Sequence, residues 1–176
     1  MGLNKDIASQ ISLLILDVDG VLTDGSLFYD NHGQEYKAFN SRDGHGLRML
    51  QDAGVKVAIL TGRKSELVMH RANNLGIPAE LVYQGHRDKR PAFAALLANT
   101  GIAPERIAYV GDDVIDLPVM TKVGLAIAVG DAHPFVKEHA HWVTHAPGGK
   151  GAVRETCEML LDARGQLQDI LARYLQ

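Results

Sequence analysis

Three short apolar runs in this chain each stop at a small cluster of polar residues. Residues 11–16 (ISLLIL) run into Asp17-Val18-Asp19-Gly20, and residues 55–60 (VKVAIL) into Thr61-Gly62-Arg63. Residues 107–110 (IAYV) run into Gly111-Asp112-Asp113, with Asp116 just beyond. Runs this short, bounded by turn residues, read as buried strands of a parallel sheet. Placed side by side, their C-terminal ends share one edge, the edge at which open α/β sheets bind ligands. Carboxylates, a hydroxyl and a lysine that are distant in sequence then meet in one small volume.

The rest of the pattern agrees with that layout. Strands are expected at 11–17, 55–61, 80–83, 107–111, 125–129 and 142–144. Helices are expected between them, at 44–53, 65–75, 87–100, 115–122, 134–139 and 151–164. Strands alternating with helices predict a doubly wound, mostly parallel, Rossmann-like α/β sheet. The chain has 176 residues, 46% hydrophobic and 22% charged, which suits one domain over 1–176 with a real core. Its last part, 149–176, reads as a helix followed by a weakly helical tail.

One segment breaks the alternation. Residues 25–40 (GSLFYDNHGQEYKAFN) alternate apolar and polar around Asp30-Asn31-His32-Gly33, the pattern of a β-hairpin. We expect a hairpin flap over 24–40, projecting beside the first acidic cluster. A lone two-stranded hairpin is marginal in water, so Leu27, Phe28, Tyr36 and Phe39 call for cover, from another subunit or from the chain's own body. Between Asp19 and Thr61 only this hairpin and one helix fit, which leaves no room for a large cap domain.

The polar clusters carry the chemistry. Asp17 and Asp19, two apart in extended chain, point to the same side. Two carboxylates so close repel unless a cation or a proton intervenes. The plain alternative is turn capping. Asp112, Asp113 and Asp116 follow another strand; capping accounts for one or two of them, less readily for three. An all-oxygen donor set points to a hard cation, and Mg²⁺ is the usual partner of phosphates. Thr61 and Gly62 can hold phosphate oxygens, although a threonine N-cap explains them too. Lys89 taken alone reads as part of a solvated basic run over 85–90; beside the acids it can offset charge around a phosphate. Gly148-Gly149-Lys150-Gly151 lacks the residues of a nucleotide P-loop, which leaves a flexible loop. His133, His139, His141 and His145 show no zinc-ligand spacing.

Together these residues resemble a known family. DVDGVLTDG (17–25), LTGR (60–63), Lys89 and GDDVIDLPVM (111–120) resemble the four motifs of the haloacid dehalogenase-like hydrolases, in the same order and across nearly the whole chain. Finer stretches, among them FNSRDGHGLRML, YQGHRDK and GGKGAVRETCEMLL, are similar to that superfamily's sugar acid phosphate phosphatases. The resemblance implies Asp17 as nucleophile, Asp19 as general acid and base, and Thr61 and Lys89 as holders of the phosphoryl oxygens. It implies Mg²⁺ on Asp17, the Asp19 backbone carbonyl and Asp112, with Asp113 and Asp116 in support. It also implies a small phosphorylated sugar acid as substrate and a homo-oligomer, a tetramer joined through the hairpins. Gly62, Arg63, Lys64, Arg42 and His45 are the candidate substrate contacts, because arginine and lysine suit a sugar carboxylate. For Arg71 the exposed-helix reading is preferred.

The non-enzyme alternative is a receiver-type phosphoacceptor domain, which uses similar residues at different strand ends. A sister phosphatase for a nine-carbon sugar acid phosphate is the nearer one. Net charge is −3, which makes no case for nucleic acid. Residues 1–10 lack an apolar signal core, no stretch is long enough for a bilayer, and Cys157 has no intrachain partner. A soluble cytoplasmic protein with no membrane partner is the expectation.

Overall fold

Every strand of the main sheet runs in the same direction. The computed structural model describes residues 4–176. It opens with α1 (Lys5–Gln10), capped by the Asn4 side chain, and β1 (Leu13–Leu16). A hairpin follows, β2 (Phe28–Tyr29) with β3 (Glu35–Tyr36), then α2 (Ser41–Asp52) and β4 (Lys56–Leu60). Next come α3 (Glu66–Leu75), β5 (Val82–Tyr83), α4 (Lys89–Thr100) and β6 (Ile107–Gly111). The chain continues through α5 (Leu117–Met120), β7 (Leu125–Ala128), α6 (Pro134–His139) and β8 (Trp142–Val143). It ends with α7 (Ala152–Ala163) and α8 (Leu167–Ala172).

The six parallel strands take the order β5-β4-β1-β6-β7-β8. Strand β1, four consecutive buried apolar residues, therefore lies between β4 and β6. The order reverses at β1: the chain winds outward to β5, then crosses back to β6. Right-handed crossovers put the helices of the two halves on opposite faces. Accordingly α2 packs on α7 and α7 on α1, while α4 packs on α5. Leu16 pairs in register with both Ile59 and Val110. The three strand ends are thus level, and Asp17, Thr61 and Asp112 leave the sheet at one edge.

The expected strands are all present, most of them shorter. Residues 80–81 belong to a 3₁₀ turn, so β5 is reduced to two residues. The expected helix 115–122 is a 3₁₀ turn at Val114–Asp116 followed by α5. Helix α2 starts at Ser41 rather than 44, because Asn40 caps it through the Arg42 and Asp43 N–H groups. Helix α1 was not foreseen. The hairpin turns as expected: the Asp30 carboxylate accepts the His32 and Gln34 N–H groups. No large cap domain is present among the described residues, and none of their helices is long and apolar enough to cross a membrane.

The glycine turn before α7 is neither a phosphate cradle nor a free loop. The Gly148 N–H donates to Asp131 Oδ1 at 2.8 Å, and the Gly149 N–H to the Val21 carbonyl at 2.8 Å. A Cβ on Gly148 would lie 1.7 Å from the Gly20 carbonyl oxygen. The turn is a wedge under the loop that carries Asp17 and Asp19. Gly148→Ala must push that loop away, so we expect a loss of about 1–3 kcal/mol in urea unfolding, as for other overpacked contacts. Unchanged stability would mean the two loops do not touch.

Candidate active site

Each strand end delivers one group. Asp17 follows β1 directly and is buried; Thr61 follows β4 and is buried; Asp112 follows β6. Asp17 Oδ1 and Asp112 Oδ1 are buried and accept no aligned hydrogen bond. Turn capping is thereby set aside for both. The first loop is held instead by the Val18 carbonyl, which accepts the Val21, Leu22 and Thr23 N–H groups. Asp113, not Asp112, caps the 3₁₀ turn after β6. Thr61 caps nothing either, since α3 begins after Ser65. Gly20 is the residue that admits Asp112: its φ is +90°, and a Cβ there would sit 2.0 Å from Asp112 Oδ2.

Lys89 is the first residue of α4 and is fully buried, not solvated. Its Nζ lies 2.6 Å from Asp116 Oδ1 and 3.0 Å from the Tyr109 hydroxyl, with a further ion-pair contact of 3.1 Å to Asp17 Oδ1. Burial works against the ammonium, but the charges of Asp17 and Asp116 outweigh it and hold its pKa above the usual lysine value. Asp116 is saturated. Its Oδ1 takes Lys89 and the Tyr109 hydroxyl (2.7 Å), and its Oδ2 takes the Asp112 and Asp113 N–H groups at 3.0 and 3.3 Å.

Oxygens of Asp17, Asp112 and Asp116 lie within 4.8 Å of one another, a group able to hold a metal ion. Three carboxylates share this space with one ammonium. Burial, then Asp116, raises Asp17 to about 7; burial, then Asp116 and Asp17, raises Asp112 to about 8. The unsatisfied oxygens and the excess negative charge fit a divalent cation. Asp17 and Asp112 have free oxygens to offer it, whereas those of Asp116 are committed to four donors.

The cleft above these groups has a volume of about 180 Å³, lined by Asp17, Asp19, Thr61, Gly62, Arg63, Asp112, Asp113 and Ile115. Lys89 lies beneath its floor. Lys64, Arg42 and His45 are exposed and do not line it; His45 instead meets the ring of Tyr174 edge-on at 5.4 Å. Arg71 is half-buried rather than exposed, donating to the Asn40 carbonyl at 3.1 Å.

Sequence reasoning missed the hairpin's polar face. Lys37 reaches Asp19 Oδ1 at 2.5 Å and Glu35 Oε1 at 3.3 Å, and its side chain is 2% exposed. Arg63 closes the chain of charges, 2.8 Å from Glu35 and 2.7 Å from the Tyr29 hydroxyl. The available signal was the i, i+2 spacing of Glu35 and Lys37, which puts both on one side of an extended strand. Tyr109 was missed as well. A tyrosine inside a buried apolar run needs a partner for its hydroxyl, and that was its signal.

The comparisons with known proteins agree with this geometry. A family model described as haloacid dehalogenase-like hydrolase matches residues 79–153. The chain is 55% identical over 162 residues to the 3-deoxy-D-manno-octulosonate 8-phosphate phosphatase of Salmonella typhi, covering 92% of this chain and 85% of that one. The crystal structure of the corresponding Yersinia pestis phosphatase matches with a TM-score of 0.90 at 51% identity, over 93% of this chain and 88% of that one. The Moraxella catarrhalis phosphatase, solved in complex with a magnesium ion, a phosphate ion and a KDO molecule, matches with a TM-score of 0.93 at 38% identity, over 97% of both chains. Sequence, fold and strand-edge chemistry converge: the chain belongs to the haloacid dehalogenase-like hydrolases, in the family of the 3-deoxy-D-manno-octulosonate 8-phosphate phosphatases.

Proposed function

We propose that this protein is a Mg²⁺-dependent phosphatase that hydrolyses 3-deoxy-D-manno-octulosonate 8-phosphate to 3-deoxy-D-manno-octulosonate and phosphate. Its place is lipopolysaccharide biosynthesis in the cytoplasm. The observation that carries this reading is the convergence of Asp17, Asp112, Asp116 and Lys89 on one point at the sheet edge. The likeness to the Moraxella phosphatase, whose crystal structure holds magnesium, phosphate and the sugar acid, supports both cofactor and substrate. The whole chain, 1–176, acts as one catalytic domain.

Asp17 is the nucleophile. Its carboxylate attacks phosphorus, the bond from phosphorus to the sugar oxygen breaks, and Asp19 gives that oxygen a proton. Water then attacks the aspartyl-phosphate, Asp19 takes a proton from it, and phosphate leaves with Asp17 restored. A carboxylate nucleophile splits one hard displacement into two easier ones. Thr61 and Lys89 hold the phosphoryl oxygens, and the protein's main task is positioning and charge balance. Mg²⁺, held by the carboxylates of Asp17 and Asp112 and the Asp19 backbone carbonyl with Asp113 and Asp116 behind them, supplies positive charge against the substrate's phosphate. Lys37 keeps the Asp19 carboxylate at the cleft. Gly62 and Arg63 meet the sugar from the cleft wall. Lys64, Arg42 and His45 are exposed and do not line this chain's own cleft, so sugar contacts from them are assigned to a neighbouring subunit's cleft, across a subunit boundary.

A homotetramer supplies that boundary. Leu27, Phe28, Tyr29 and Tyr36 are each more than half exposed on a hairpin too small to stand alone. Joining the hairpins of several copies buries them and walls the open clefts.

A panel of sugar phosphates, assayed by phosphate release, tests the substrate. We expect the 8-phosphate of 3-deoxy-D-manno-octulosonate to stand well above the rest in kcat/KM; preference for a nine-carbon sugar acid 9-phosphate would reassign it. Asp17→Asn should lower kcat by on the order of 10⁴-fold or more. Its Tm should hold or rise, because a buried carboxylate at odds with its neighbours is neutralised.

The metal reading predicts a pH signature. Asp17 and Asp112 bind protons more tightly folded than unfolded, so the metal-free protein loses stability as pH rises from about 4 through 8. Excess Mg²⁺ should abolish that loss and raise Tm more at pH 8 than at pH 6, since cation and proton compete for the same oxygens. Thermal unfolding in EDTA and in Mg²⁺ across this range measures it. An equal Mg²⁺ shift at both pH values would count against these two ligands.

A further inference from the structure

Beneath the site lies a group the reaction above does not use. Tyr109 sits in β6 and is fully buried, one strand away from Asp17 and seven residues before Asp116. Its hydroxyl donates to Asp116 Oδ1 at 2.7 Å and accepts from Lys89 Nζ at 3.0 Å. Lys89 Nζ also lies 5.7 Å from the centre of the tyrosine ring. Three groups of different charge thus close a triangle that no solvent reaches.

The geometry of an ammonium makes this triangle consequential. Lysine carries three N–H donors that turn freely about the Cε–Nζ bond. Asp116 Oδ1 takes one donor and the Tyr109 oxygen takes a second. Two fixed bonds set the rotation, so the direction of the third donor is set as well. The nearest group left for it is Asp17 Oδ1, 3.1 Å away in an ion-pair contact that is not an aligned hydrogen bond. The remaining N–H is therefore held only by this loose ion pair with Asp17, where a phosphoryl oxygen arrives. Without the tyrosine oxygen, Asp116 would be the sole aligned partner, and the ammonium would pivot about that one bond. Asp116 Oδ1 would also lose one of its two donors and draw the ammonium closer, away from Asp17.

We propose that Tyr109 is a positioning residue for Lys89: its hydroxyl orients the ammonium so that one N–H is kept off Asp116 and turned towards Asp17 and the phosphoryl group it carries. This rests on the phosphatase reading above, which brings a phosphoryl group to Asp17. A tyrosine that only satisfies its own buried hydroxyl would affect stability and leave turnover alone.

Tyr109→Phe separates the two, since it removes one oxygen and keeps the ring. Phosphate release from 3-deoxy-D-manno-octulosonate 8-phosphate and from p-nitrophenyl phosphate is measured with Mg²⁺, the wild type first. We expect kcat to fall about 10- to 100-fold with both esters, the scale of a misplaced catalytic group, with KM changing less than about 3-fold. In a Lys89→Met background the tyrosine change should cost less than about 2-fold further, because its effect runs through Lys89. A kcat within about 2-fold of wild type, or an equal loss in both backgrounds, overturns the proposal. A wild type active only on p-nitrophenyl phosphate sinks the substrate assignment but leaves this test intact. A wild type that cleaves no monoester removes both. Should Tyr109→Phe not fold, ¹⁵N-lysine NMR of the wild type decides. The Lys89 ammonium should show slowed rotation about Cε–Nζ, and free rotation overturns the inference.

Discussion

A single ammonium buried among three carboxylates is the constraint on which the rest of this structure depends. Lys89, Asp17 and Asp116 are buried and Asp112 is half-buried beside them, and their charges do not balance. Removing charge from water is costly unless it is paired and hydrogen-bonded. Asp116 meets that condition alone, with two donors on each oxygen. Asp17 and Asp112 do not, and burial with mutual repulsion pushes both towards neutral pH. The imbalance is a standing demand for positive charge. It marks off the two carboxylates that lack aligned hydrogen bonds from the one that is fully bonded.

That arrangement needs close approaches that only bare backbone allows. Gly20 makes room for the Asp112 carboxylate, and Gly148 lies against the Gly20 carbonyl from the other side. The loop bearing Asp17 is therefore held between a strand end and the glycine turn that leads into α7. Support of this kind is what a positioning mechanism needs, because phosphoryl transfer asks the protein for alignment more than for covalent chemistry. The hairpin adds a third support from above through the charges of Lys37, Glu35 and Arg63. The same element carries the exposed Leu27, Phe28, Tyr29 and Tyr36, so one hairpin holds both the charges at the cleft and an uncovered apolar surface.

Much of the fold was legible because its signals are local. Strand β6 and helix α6 have the bounds that their apolar runs and Pro134 indicate. The start of α2 at Ser41 was missed, although the helix itself was expected from Gly44 on. Gly44 and Gly46 are poor helix formers, yet a Cβ at 44 would meet Arg71, and one at 46 would meet Arg154 and Cys157. Packing against α7 and Arg71 requires them there and overrides their propensity. Lys89 misled for a similar reason. A lysine in a basic run reads as solvated, and only the neighbouring strands show the carboxylates that make its burial tolerable.

The sequence by itself determined the α/β winding, the hairpin, the acidic strand ends and the family, since periodicity and short motifs are written in neighbouring residues. Tertiary structure alone decided which carboxylates keep free oxygens, where Lys89 points, and that Lys37 and Tyr109 join the site. Those outcomes depend on strand order and register, which bring together residues up to a hundred positions apart. The chemistry of a charge in such a place is set by everything around it in space.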